Sequence, residues 1–387
     1  MTSNRFSRRQ FIKTGGLGLL GTLAFPTEVW PKPKRHLTLY VGTYTTGSSE
    51  GIYGYEMDRV TGALSRFGSF KSINPSFLTI DRQRRFLYAV NEINDFGGQP
   101  SGSVSAFAID PATRHLRFLN EQATRGADPC HLSLDRKRRA LLVANYTGGS
   151  VTVLPVRPDG TLDPATDVKR HEGAGIKEQQ KGPHAHCVIL DRRERHALVA
   201  DLGIDKVMVY RFQRSPGRLT SNNPAWAELK PGAGPRHLSL HPNGKYLYVI
   251  NELDSTLTSF AYNEDKGTLI AIDNLSTLPG DFSGVSYCAD VHVSPSGRFL
   301  YGSNRGHNSI VVFEINKRTG KPSLLQHVST EGDWPRNFTL DPTGRFLLVA
   351  NQRSDNVVTF AIDPRSGRLQ PTGRNETIPA PVCLRFL

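Results

Sequence analysis

Nineteen residues, GPRHLSLHPNGKYLYVINE at 234–252, constrain the whole chain, because five other stretches follow the same plan. They are NPSFLTIDRQRRFLYAVNE at 74–92, DPCHLSLDRKRRALLVANY at 128–146, HAHCVILDRRERHALVADL at 184–202, YCADVHVSPSGRFLYGSNR at 287–305 and WPRNFTLDPTGRFLLVANQ at 334–352. The penultimate residue of every copy is Asn or Asp: Asn91, Asn145, Asp201, Asn251, Asn304 and Asn351, at intervals of 54, 56, 50, 53 and 47 residues. A period of this size marks a repeat architecture, in which each unit buries its apolar faces only against its neighbours.

Within each window apolar and polar residues alternate, break at a turn such as HPNGK or DPTGR, and resume with β-branched and aromatic residues. That pattern predicts a β-hairpin. A third apolar run follows (TSFAYN, IVVFEIN, VVTFAID), then a turn with Gly before Leu or a near equivalent (DKGTL, SPGRL, RSGRL), then a shorter fourth run. Four strands per unit describe a β-propeller blade. The ends supply a seventh: LTLYVGTY, GIYGYEMD and LSRFGSFK within 37–71 lack an innermost strand, and the C-terminal APVCLRFL resembles one, with Pro381 in the column of Pro75, Pro129, Pro235 and Pro335. The expected fold is all-β, a seven-bladed β-propeller over 36–387 whose N- and C-terminal strands share one blade, leaving no open sheet edge. A β-solenoid or an eight-bladed ring is the alternative.

No second domain or low-complexity linker interrupts the 387 residues, and 36 Gly with 25 Pro suit one large domain rich in turns. Residues 1–35 read as an export signal and linker: SRRQFIK at 7–13, then the weakly apolar TGGLGLLGTLAF, resemble a twin-arginine signal, with a periplasmic destination expected and either cleavage after Ala24 or an uncleaved anchor. The apolar run is too short to span a bilayer. The formal net charge is +13; Arg5, Arg8, Arg9 and Lys13 of the leader account for four, leaving +9. Much of the remainder sits in turns such as Asp-Arg-Lys-Arg-Arg at 135–139, read as a solvated surface. No basic groove with interleaved aromatics is seen, so no nucleic-acid partner is expected. Cys130, Cys187, Cys288 and Cys383 each begin an innermost strand and have no CxxC spacing; free thiols are expected.

In a propeller the first strand of each window leaves one rim and the second returns to it, so the window's beginning and end meet at one mouth of the central channel. The third column reads Ser76, Cys130, His186, Arg236, Ala289, Arg336; the fourth Phe77, His131, Cys187, His237, Asp290, Asn337; the last Glu92, Tyr146, Leu202, Glu252, Arg305, Gln352. Scaffold positions repeat, whereas these columns change from blade to blade, as expected where strand ends build one asymmetric site. Arg236, Arg305, Arg336, His184, His186 and His237 outnumber Glu92, Glu252 and Asp290, which points to a small anionic ligand held by guanidinium groups. The recurring Asn/Asp column is expected to cap the turn after the second strand; the alternative is a ring of oxygen ligands for Ca²⁺. His184 and His186 lack an HxHxDH or HExxH context, so no metal or other cofactor is expected, and no GxSxG elbow is present.

With GPRHLSLHPNGKYLYVINE, GPHAHCVILDRRERHALVADLGIDKV, SPSGRFLYGSNRGHNSIVVFEI and WPRNFTLDPTGRFLLVANQRSDNVVTF in view, the chain resembles the seven-bladed lactonase family. That family groups cytoplasmic 6-phosphogluconolactonases with fungal carboxy-muconate lactonizing enzymes, and the resemblance runs from about residue 36 to the C-terminus. It implies lactone chemistry carried by the His of an HxH segment, the Arg of PRH, the Glu of NE and the Arg of SNR. Those positions are His186 (or His184), Arg236, Glu252 and Arg305. The expected activity is metal-independent hydrolysis of a sugar-type or anionic lactone by a monomer. Glu252 or neutral His186 would serve as base, with His184, His237, Arg336, Asn337 and Asp290 holding the substrate. The export signal departs from the cytoplasmic members, so the chemistry carries over better than the phosphorylated substrate. Two rivals stand beside this reading: a non-catalytic exported propeller that binds a carbohydrate or protein, and a Ca²⁺-dependent sugar lactonase.

Overall fold

The computed structural model describes residues 35–387, and the expectations made on the leader fall outside the described residues. Seven four-stranded antiparallel sheets follow one another along the chain. Blade 1 joins the C-terminal strand β28 (Pro381–Phe386) to β1 (His36–Thr43), β2 (Gly51–Asp58) and β3 (Leu64–Lys71), so the two ends share a blade as expected. Blades 2 to 7 begin with innermost strands β4 (Leu78–Ile80), β8 (Pro129–Leu134), β12 (Ala185–Leu190), β16 (Pro235–Leu240), β20 (Tyr287–Val293) and β24 (Pro335–Leu340). Each innermost strand touches that of the next blade, and the contacts return through β28 to β4, which closes the ring.

Burial is graded outward from the channel. The second strands, for instance Phe86–Asn91 and Tyr246–Asn251, are buried along their whole length. Their continuous apolar character follows from being covered by a neighbouring blade on both faces. The fourth strands, such as Leu369–Thr377, are largely exposed on the outside. Neighbouring blades are also bolted by a repeated tyrosine of the second strand. Tyr40, Tyr88, Tyr248 and Tyr301 donate their hydroxyls to the carbonyls of Arg114, Gly160, Gly320 and Gly367 in the outer turn of the next blade, at 2.6 to 3.0 Å. Each bolt contributes about 1 kcal/mol beyond the burial of its ring. Gly367 shows why the turn glycine of RSGRL is needed: its φ is +70°, and a Cβ there would lie 2.4 Å from the Phe299 ring of blade 6.

At the turn between first and second strands, an acceptor side chain takes backbone N–H groups four or five residues on. Asp81 accepts from Arg85 and Phe86, Asp135 from Arg139 and Ala140, Asp341 from Arg345 and Phe346, and Ser294 from Phe299. The basic turns predicted on this face are therefore organised around buried acceptors.

The Asn/Asp column behaves differently from expectation. Asn145, Asn251 and Asn304 donate to hydroxyls of the third strand (Ser150 and Thr152, Thr256 and Thr258, Ser309), while Asn91, Asn304 and Asn351 also reach backbone carbonyls on the chain entering the blade. They tie the second strand to its surroundings from inside the sheet; only Asp201 caps the following turn, by accepting from the Gly203 N–H. All four cysteines are free and buried, as expected.

Candidate functional site

Six of the seven blades carry a β-bulge at the same place. Pairing skips Cys130, His186, Arg236 and Arg336, the pair Ala289 and Asp290, and Val382 in the shared blade. A bulged residue has no ladder partner and its side chain is re-aimed. The third column, singled out in the sequence because its residues differ, is thus the point where each innermost strand turns a side chain away from the regular pleat.

The upper layer of the site is built on Glu252. Its Oε2 lies 2.9 Å from Nε of Arg236 and 2.7 Å from an Nη of Arg305. The Arg236 contact lies off the N–H direction, so it is an ion pair rather than a linear hydrogen bond. Both arginines are anchored behind: Arg236 donates to the Ala289 carbonyl at 2.7 Å, and Arg305 to the Cys288 carbonyl at 2.9 Å. The Arg236 side chain is only 2% exposed. Burial, with the charges of Arg305 and Arg336 adding to it, lowers the Arg236 guanidinium to about 10, so it stays charged at neutral pH. Burial works to raise the Glu252 carboxyl, but the charges of Arg305, Arg236 and Arg336 outweigh it and hold the group below its ordinary range.

Across the mouth, Arg336 sits 3.9 Å from Glu92, whose Oε1 accepts from the Tyr44 hydroxyl at 2.9 Å. The Arg336 guanidinium lies 5.3 Å from the Tyr44 ring centroid, and that of Arg305 5.4 Å from the Trp334 centroid. His184 stacks on Tyr146 with ring centroids 4.4 Å apart, and its backbone N–H is held by Asp201.

Below lies a layer of imidazoles. The rings of His131 and His186 each stand 5.3 Å from that of His237, and Tyr146 touches His186 from above. Burial, then the charges of Arg236, His237 and Arg336, push His186 well below the ordinary histidine value. His237 is lowered to about 4 by burial and Arg236, against the pull of Asp290. Both are neutral at physiological pH. Nδ1 of His237 is 2.8 Å from Asp290, whose other oxygen meets His292 at 2.9 Å and accepts from Asn337. Asp290 is held well below the carboxylate range by these partners despite its burial.

All nine residues selected from sequence therefore stand at or beside the same end of their blades' first and second strands. Arg236, Glu252 and Arg305 are in direct contact; His237, Asp290 and Asn337 form a second group; His186 joins the layers. Arg336 pairs with Glu92 rather than Glu252, and His184 is joined through Tyr146. Tyr44, Trp334 and His292 were not selected. Tyr44 had a signal: aligned through the split blade, Thr43 and Tyr44 fill the last two columns of the window. Among the described residues, no group of three His, Cys, Asp or Glu side chains is placed to hold a metal ion.

Comparison with known proteins bears on this arrangement. Residues 38–386 match the family described as Lactonase, 7-bladed beta-propeller. The 6-phosphogluconolactonase of Bacillus subtilis is 40% identical over 349 residues, 90% of this chain and 97% of that protein. A 6-phosphogluconolactonase of Formosa agariphila is 36% identical over 310 residues, 78% of this chain and 86% of that one. The solved structure of a periplasmic gluconolactonase from Pseudomonas aeruginosa superposes with a TM-score of 0.87 at 36% identity, covering 91% of this chain and 99% of that one.

Proposed function

The chain belongs to the seven-bladed β-propeller lactonase family, and from that premise we propose that it hydrolyses a sugar-type lactone at the channel mouth ringed by Glu252, Arg236, Arg305 and His186. The observation that carries the proposal is the pair of guanidinium groups converging on one oxygen of Glu252 above a neutral imidazole. Two cations fixed by backbone carbonyls and a carboxylate form a preorganised positive wall in a water-poor recess.

In this reading His186 takes a proton from water as the oxygen adds to the lactone carbonyl. Arg236 and Arg305 stabilise the oxyanion, and the ring C–O bond then breaks as the His186 imidazolium returns its proton to the departing alkoxide. Glu252 is the weaker candidate for base, because its neighbours favour the ionised, poorly basic form. It serves instead to hold both arginines in place. His237 is oriented by the contact of its Nδ1 with Asp290, and Asn337 fixes Asp290 in turn. Arg336 meets Glu92 only at 3.9 Å and otherwise rests on the Tyr44 ring, which leaves it the cation best able to meet substrate hydroxyls or an anionic group. His184, on the Tyr146 ring, lines the approach. No metal is needed in this scheme, since guanidinium groups supply the charge that a Lewis acid would.

The periplasmic neighbour and the SRRQFIK leader support a further part of the proposal: a twin-arginine signal, residues 1–35, delivers a monomeric propeller, 36–387, to the periplasm. A neutral gluconolactone suits that compartment better than a phosphorylated one. The decisive measurement is hydrolysis of gluconolactone, 6-phosphogluconolactone and a carboxylated muconolactone by the purified protein, with and without chelator, beside Arg236→Ala. Chelator-insensitive turnover abolished by the substitution is expected; absence of turnover above the uncatalysed rate on all three would overturn the reading. Fractionation of cells expressing the Arg8→Lys, Arg9→Lys double variant tests export, with retention in the cytoplasm expected.

A further inference from the structure

Trp334, which precedes the innermost strand of blade 7, holds a backbone conformation that its side chain disfavours. Its φ is +66°, and it is the one aromatic residue with a positive φ among the described residues. Four other blades also adopt a positive φ at this first position of the window, and fill it with Asn74, Asp128, Gly234 and Ala380. Gly, Asn and Asp tolerate the left-handed region, whereas a bulky side chain there is strained. The conformation is held from both sides: the Trp334 N–H donates to the Asn308 side chain at 3.0 Å, and its carbonyl accepts from the Gln352 N–H at 3.0 Å. A strained residue kept beside a reaction site points to a task for its side chain.

The surroundings of the indole indicate what that task is. The Arg305 guanidinium lies 5.4 Å from the ring centroid, and the Tyr287 ring stands edge-on to it with centroids 6.2 Å apart. Arg353, itself exposed, places its guanidinium 3.4 Å from the centroid, directly over the ring, and shields it from water. Arg305 is almost fully buried. Its polar contacts, with the Glu252 carboxylate and the Cys288 and Tyr287 carbonyls, are made by N–H groups along the edge of a planar group. Such contacts fix the edge and restrain the tilt of the plane only weakly. An aromatic ring within about 6 Å adds an attraction of another kind, strongest for Trp and where water is excluded.

We infer that Trp334 is a positioning residue for the reaction: its indole fixes the Arg305 guanidinium at the angle from which it meets the oxyanion, and the strained backbone is what places a ring at that point. The inference rests on the lactonase reading and deepens it. Without the ring Arg305 stays charged and paired with Glu252, so substrate still binds and the loss falls on the chemical step.

The test is a double-mutant cycle on D-glucono-1,5-lactone with the full-length protein, combining Trp334→Leu with Arg305→Ala, and with Trp334→Phe as the variant that keeps a ring. Trp334→Leu should lower kcat about tenfold with KM within about twofold, the size of one desolvated contact between a cation and a ring. Trp334→Phe should retain about a third of kcat or more. In the Arg305→Ala protein no guanidinium is left to position, so Trp334→Leu should change kcat/KM by less than about twofold. Unchanged kcat in Trp334→Leu, or the same tenfold loss with and without Arg305, overturns the inference, because a tryptophan that only packs would lose activity equally in both backgrounds. Where Arg305→Ala turns over too slowly to read, the cycle is completed on denaturant midpoints: a combined loss smaller than the two single losses together upholds the contact, and independent losses end the inference. If the unsubstituted protein hydrolyses no lactone, the lactonase reading falls by itself, and that same unfolding cycle decides whether Trp334 holds Arg305.

Discussion

The two ends of the innermost strands in blades 3, 4 and 7 obey opposite rules. At the turn into the second strand, Asp81, Asp135, Asp191 and Asp341 do one job, each accepting backbone N–H groups at fixed offsets. At the other end the bulged positions hold Cys130, His186, Arg236 and Arg336, no two adjacent blades alike. The first end satisfies a local need that every hairpin has. The second satisfies a need that belongs to the ring as a whole, and it can be met only by unlike residues brought to one point. Stability and chemistry are thereby separated along about six residues of chain.

The sharpest way to break that comparison is at the chemical end. Arg236→Lys keeps a charge but loses the fork that reaches both Glu252 and the Ala289 carbonyl. It should lower kcat/KM by about 10²–10³-fold, the usual cost of one oxyanion-stabilising donor. His186→Gln should lower kcat by about 10²-fold. Because the folded protein keeps His186 neutral well below the ordinary histidine value, the acid limb of the unsubstituted pH–rate profile should lie clearly below 6.5. A limb at or above 6.5 would argue against His186 as base.

The same histidines couple the chemical end to stability. An unfolded chain protonates His237 near 6.5, whereas the folded protein does so only at about 4. Between those values the unfolded state binds more protons, so stability is intact above about 6.5 and falls as the pH drops toward 4, by on the order of 3 kcal/mol from this residue. Denaturant titrations across that window measure it, and His237→Gln should flatten the slope.

At the structural end, Asp341→Ala removes the acceptor for the Arg345 and Phe346 N–H groups. About 1–3 kcal/mol of stability should be lost with kcat/KM on gluconolactone unchanged. The smallest effect is expected at Arg84, which holds φ +60° where the corresponding residues of three other blades are Gly244, Gly297 and Gly344. Arg84→Gly should relieve that conformation and stabilise the protein by up to about 1 kcal/mol, read as a rise in Tm.

What was legible in the sequence follows the same division. Blade number, strand order and the shared first blade could be read because hairpin patterning repeats and errors in one copy are corrected by the others. The rim columns could be read because they break that repetition. Tyr44 was passed over because its blade is split between the two ends of the chain, so its window never appears as nineteen continuous residues. His292 was hidden for another reason: it stands two residues beyond Asp290 on the same side of the strand, in a column treated as scaffold. The Asn column was misjudged because a side-chain amide at a strand end satisfies a turn or a sheet equally well on paper. The hydroxyls that decide the matter, Thr152 and Thr258, lie on the next strand and differ between blades.

The bulge has a consequence for how such proteins change over time. A side chain at a bulged position contributes nothing to the ladder, so exchanging it leaves the neighbouring backbone pairs intact. Six bulged addresses around the ring can then be rewritten almost independently, one per blade, while the ladder of each sheet is unchanged. A lineage of such rings can move between substrates by single substitutions at Cys130, Ala289 or Val382, three addresses now held by uncharged side chains. A combinatorial library confined to those three codons would sample new binding mouths without breaking a backbone pair.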